Sequence, residues 1–280
     1  MGVFLLSASK AHSMAGVTAP IKKMLKAETN ENRWISLGAG YRGTGLWTEN
    51  PNSGNLNDGA YRNDNARLYL NGQFNQHFKF QVNTECFFCN NTASGDNPKM
   101  SYNIVDAVVK FEYNRYFNVW GGRMVVPTGR GELSGPFFQA THDAFKTPFF
   151  SQDFSTKFGD GGAGRYGRDD GVTFWGNAEP GIIPGTLGYA VGVFRGLESS
   201  KTTGPNPGGT ILTAARVTYN FLNPESPGYY TSSTYYGKAG DILALAFGMS
   251  YQKNGAGSFT SRSDFLGFTG DLLFEKVLPR

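Results

Sequence analysis

Along residues 61–88 apolar and polar positions alternate with a period of two. Ala66, Leu68, Leu70, Gly72 and Phe74 share one parity, against Arg67, Tyr69, Asn71 and Gln73. After Asn75-Gln76-His77 the alternation resumes, with Phe78, Phe80 and Val82 against Lys79, Gln81, Asn83 and Glu85. Successive side chains of a strand point to opposite faces, so this stretch predicts a tight hairpin with one apolar face and one polar, charged face. In a soluble sandwich the apolar face turns to the core. In a transmembrane barrel it meets lipid while the polar face lines a lumen, and the strand alphabet is the same.

The same alternation predicts strands over 34–43, 105–113, 117–126, 172–177, 187–195, 211–221, 243–251 and 266–274, which with the hairpin makes ten. In 117–126 the phase is less regular, and Gly121-Gly122 invites a bulge. The polar segment 22–32 reads as a short helix or a linker. Between the strands, long connections (49–59, 90–101, 127–168, 197–209, 253–263) alternate with short ones, and only 223–240 is long where a short turn is due. Outer-membrane barrels sort long extracellular loops from short periplasmic turns in this way, whereas a sandwich has no reason to. The longest connection, 127–168, carries Phe137, Phe138, Phe145, Phe149 and Phe150 and is expected to fold against the barrel as a constriction-type loop.

Composition supports the barrel reading. The chain has 38 glycines, 15% aromatic and only 17% charged residues, yet its mean hydropathy is negative, as strands with one polar face require. No run approaches the roughly 18 apolar residues of a spanning helix, so membrane insertion has to be by strands. The net charge of +4 is mild and the basic residues are dispersed, which argues against a nucleic-acid partner. Residues 1–15, with Val3 to Leu6 apolar and Ser13 and Ala15 at cleavage-like spacing, read as the remainder of a secretory signal. Residues 16–33 then form a periplasmic linker and 34–280 the barrel. The final residues Glu275 to Arg280 lack the aromatic-ended strand with which such barrels commonly finish, so further strands are expected beyond them.

Catalytic chemistry is poorly supplied. Of the three histidines, His12 falls in the signal, His77 in a turn and His142 in the long loop, where Ser134 or Ser151 would be its partner in a hydrolase. A solvated loop histidine is the simpler reading, and neither an enzyme nor a cofactor is expected. Cys86 and Cys89 are the only cysteines. Their spacing lacks the following histidine of a haem attachment site, and a local disulfide is the simplest state for an exported chain. No further metal ligands lie nearby. By parity Arg67, Lys79, Lys110, Arg123 and Arg216 point away from the apolar face, and Arg130, Lys157, Arg165 and Arg168 lie in or beside the long loop. Such residues would line a pore and guide anions through it. Glu85, Asp106 and Glu112 are interleaved with them.

The runs NARLYLNGQFNQHFKFQVNTE, IVDAVVKFEYNRYFNVWGGRMVVPTGRGELSGP, GRDDGVTFWGN and GYAVGVFRGLE resemble the phosphate-selective porin O and P family, over about residues 34–278. The resemblance implies a trimeric barrel of about sixteen strands with a constriction loop entered through 122–136, of which this chain supplies ten. It departs from the family in mixing acidic residues into the pore-facing set, without a dense arginine ladder.

The expectation is therefore an all-β, antiparallel transmembrane barrel in a Gram-negative type of outer membrane, in contact with lipid and lipopolysaccharide. It would let small anionic or neutral solutes diffuse, with a weak anion preference. The rivals are a barrel that sheathes a periplasmic or electron-transfer partner, and a secreted β-sandwich that binds glycans through exposed aromatics.

Overall fold

Backbone N–H and C=O groups need partners, and strands find them only in neighbouring strands. The protein, described here by a computed structural model, satisfies that need in chain order. Its described residues are 5–6, 26–30, 32–50, 55–87, 101–134, 167–181, 184–196, 209–225, 228–257 and 260–278. They form β1 (Leu5–Leu6), β2 (Lys26–Asn30), β3 (Arg33–Asn50), β4 (Asn55–Gln73), β5 (Phe78–Phe87), β6 (Ser101–Glu112), β7 (Asn118–Val125), β8 (Arg168–Ala178), β9 (Thr186–Phe194), β10 (Leu212–Asn220), β11 (Ile242–Gly257) and β12 (Arg262–Glu275). One short helix, α1 (Arg130–Leu133), follows β7.

The class is all-β. Strands β3 to β12 are the ten that the alternation predicts, and each pairs antiparallel with the next in one sheet. Both β1 and β2 lie on the far edge of β3, Leu5–Leu6 opposite Gly40 and Ala39, and β2 opposite residues 33–36. Among the described residues β12 and β3 do not pair with one another.

Three expectations need correction. Residues 26–30, read as helix or linker, are a strand, because they pair antiparallel with the start of β3. Connections 49–59 and 253–263 are mostly strand: β3 and β4 run for 18 and 19 residues and β11 for 16. Cross-strand pairing there overrides turn-rich composition, with bulges at Thr48/Asn50 and Gln252/Ala256 absorbing the misfit. Finally, Gly121-Gly122 forms no bulge. The β6–β7 register is continuous from Ala107–Arg123 to Glu112–Asn118, and Gly122 instead takes a φ of +124°.

The two faces of the sheet have the reverse of a soluble protein's polarity. The apolar parity is exposed, with Val109 at 61%, Leu245 at 51% and Phe247 at 54% accessible, while Arg67, Asn83, Glu85, Arg216 and Gln252 on the polar parity are at most 2% accessible. Inner rows cross the whole sheet. One runs Gln73, Lys79, Lys110, Trp120, Thr173, Gly192, Ala214 and Ser250.

A side chain at Gly122 would place Cβ 2.1 Å from the Ala107 carbonyl oxygen, at a φ that L-residues avoid. Gly122→Ala is expected to cost about 2 kcal/mol or more, whereas Gly121→Ala, which meets nothing within 4 Å, stays near neutral. Denaturant unfolding of the two variants side by side checks the difference.

Candidate functional site

A buried charge is tolerated only when a counter-charge or hydrogen bonds replace its water. On the inner face that requirement produces a chain of pairs. Arg67 of β4 is ion-paired with Glu85 of β5, both fully buried. Asp106 of β6 accepts from Asn83 Nδ2 at 2.8 Å and from Arg168 Nε of β8 at 3.0 Å. Lys79 and Lys110 sit directly opposite each other, a like-charge pairing. Lys79 is neutralised by Glu112 at 2.5 Å. Lys110 donates to Gln81 Oε1 at 2.6 Å and lies 3.9 Å over the Trp120 ring, whose Nε1–H donates to the same Glu112.

Two connections fold inward and meet over this face. The first is 126–134, which leaves β7 and crosses to β10 and β12. Arg130 N–H and Nε donate to Asp271 of β12 at 3.1 and 2.9 Å, and its Nη atoms donate to Glu225 at 2.9 and 2.7 Å and to the Ser232 carbonyl at 2.7 Å. Arg216 of β10 grips the same Asp271 at 2.6 and 2.9 Å and donates to the Thr128 carbonyl at 2.7 Å. Arg130, Arg216, Glu225 and Asp271 thus form a neutral quartet.

The second inward segment is the connection from β10 to β11, which supplies Glu225. Its Tyr235 hydroxyl donates to Glu225 at 2.7 Å, and its Tyr229 hydroxyl donates to the Val125 carbonyl at 2.8 Å. The Val125 N–H donates to Tyr230 at 2.9 Å. The rings of Tyr229 and Tyr230 pack 5.2 and 5.3 Å from Trp120, which meets Trp175 edge-on at 5.4 Å. At the short-turn rim, the Lys276 ammonium and then the Val277 N–H hydrogen-bond Asp241 and hold its carboxyl below the usual carboxylate range. This tie between the two ends of the last hairpin is present above ordinary carboxylate pKa values and is lost as pH falls below them.

Of the residues expected to line a pore, Arg67, Lys79, Lys110, Arg130, Arg168 and Arg216 come together on the inner side, and all but Lys110 hold a carboxylate. Arg123 stands apart. It is level with Ala107 and Asp170, in the row that starts at exposed Leu37, and it pairs with Asp170 at 2.9 Å with a quarter of its side chain accessible. Lys157, Arg165, His142 and the loop phenylalanines lie outside the described residues. Cys86 is disulfide-bonded, and Cys89 also falls outside them. Among the described residues no three His, Cys, Asp or Glu side chains converge as metal ligands, and no helix is long and apolar enough to cross a membrane.

Sequence reasoning missed Glu225, Asp271, Tyr229, Tyr230 and Tyr235. The anomalous length of 223–240 and its tyrosine pairs were the available signal for the first inward contacts. The carboxylate of Asp271, on the polar parity beside Leu272, was the signal for the last. No protein-family model matches the chain, and no curated protein is significantly similar to it.

Because Arg130 and Glu225 are both buried, removing either leaves an uncompensated charge. Arg130→Met and Glu225→Gln are each expected to lower stability by about 3–5 kcal/mol, and the double variant by clearly less than the sum. A double-mutant cycle by denaturant unfolding measures the coupling.

Proposed function

We propose that this chain is a membrane-embedded barrel of the outer-membrane porin type, through which small hydrophilic solutes diffuse. The observation that carries the reading is the polarity of the sheet, one face of which exposes rows of large apolar side chains while most of the charged residues are buried on the other. Water gives no reason to expose a continuous apolar face, and a bilayer does. The aromatic and aliphatic residues exposed near the short turns, among them Phe74, Phe78, Tyr113, Tyr116 and Phe117, suit the interface between hydrocarbon and headgroups. The resemblance to phosphate-selective porins agrees, and with it come the outer membrane, lipopolysaccharide contact and a trimer.

Charge selectivity on this reading is weak. Five of the inner basic residues share their charge with a carboxylate, so they lower the barrier for anions far less than an uncompensated arginine row would. A second reading is a barrel that serves as a scaffold and passes little current. It is favoured by the two inward segments that meet at Arg130 and Glu225.

The protein purified from membranes and placed in a planar bilayer under a salt gradient is expected to conduct, with a reversal potential only slightly on the anion side. Glu225→Gln, which frees one arginine charge, should shift that potential further toward anions. A correctly folded barrel with no conductance would sink the open-pore reading and leave the scaffold. In the same preparation Phe247→Arg is expected to impair insertion, at a cost of about 2–4 kcal/mol near the bilayer midplane.

A further inference from the structure

Where the second inward segment lies on the wall formed by β8, β9 and β10, the fit is incomplete. Gly188 and Ala190 leave the inner side of the wall without bulky side chains, and a cavity of about 30 Å³ opens between wall and segment. Asn177, Arg216, Thr218, Asn220, Glu225 and Thr231 are among its polar lining residues. Two of these residues hold buried polar atoms without a hydrogen-bond partner, Arg216 Nε and Thr231 Oγ1. Arg216 spends its two Nη groups on Asp271 and Thr128, and its Nε–H is left as a donor. A buried donor without an acceptor is expensive, and two orphaned groups lining one polar cavity mark a place for a ligand.

We infer that this cavity binds one neutral, water-sized oxygen, which accepts from Arg216 Nε and exchanges a hydrogen bond with Thr231 Oγ1. Size sets the first limit, because the volume admits about one water. Charge sets the second. The positive charges of Arg130 and Arg216 are already balanced by Glu225 and Asp271, and an added anion would lie beside Glu225, which also lines the cavity. A cation would face the Nε–H donor. Both a water molecule and the hydroxyl end of a small polyol have the required chemistry. The polyol source rests on the porin reading, and it makes neutral hydroxylated solutes the class that meets a built contact in the lumen.

The test is a crystal structure of the full chain in detergent, at a resolution that shows waters, for the native protein, Thr231→Ser and Thr231→Val. Oxygen-sized density within hydrogen-bond distance of both atoms is expected in the native and serine proteins and lost in the valine one. An empty native cavity, or an anomalous bromide signal at this point in crystals grown from sodium bromide, would overturn the proposal. Swelling of proteoliposomes in erythritol separates the two sources. If a polyol hydroxyl docks, erythritol enters the valine variant about threefold more slowly than the serine one, the effect of one lost hydrogen bond. Equal entry with the density retained in the serine protein assigns the occupant as water. Proteoliposomes that neither swell nor conduct would contradict the porin reading and leave the density test standing.

Discussion

The inner face of this sheet carries arginines and lysines away from bulk water, and each has to be compensated from within the protein. Arg130 concentrates that constraint. Its backbone N–H and its guanidinium reach Asp271, Glu225 and the Ser232 carbonyl, so one side chain joins the end of β7, the wall at β12 and the connection between β10 and β11. The curvature of the sheet follows from this arrangement, because a flat sheet could not bring a residue following β7 against the inner side of β12.

The outer face is governed by the opposite requirement. With the polar parity committed inward, the apolar parity is left to the surroundings, and along β11 it presents Leu245, Phe247, Met249 and Tyr251 in succession. On the proposed reading a bilayer would meet both requirements together, covering the apolar side and leaving the charged pairs in a space whose dielectric makes their pairing worthwhile. In the proposed pore the same pairing would limit selectivity, since a neutral quartet where two inward segments meet attracts neither ion strongly.

The strand pattern was legible in the sequence because period-two alternation is local: all ten principal strands follow from it, as does the inward side of Arg67, Lys110 and Arg216. What escaped was non-local. The turn-rich stretches 49–59 and 253–263 become strand because a neighbouring strand is there to pair with them, and Lys26–Asn30 becomes strand because β3 offers a free edge. Arg123 falls on the outer row since the register through Gly122 is continuous. No local pattern announces that Glu225 and Asp271 will share Arg130, given that the three lie in separate parts of the chain and meet only when the sheet curls.

The central claim is that the apolar face meets lipid, and spin labels test it most directly. Single labels at Phe247 on the outer face and Ser250 on the inner face, in the protein reconstituted into bilayers, are compared for relaxation by oxygen and by a water-soluble nickel complex. The account predicts that oxygen, which concentrates in hydrocarbon, relaxes the label at 247 and that the nickel complex does not, while the label at 250 lacks this lipid signature. A nickel complex that reaches position 247 as readily as the rim residue Tyr113 would contradict it.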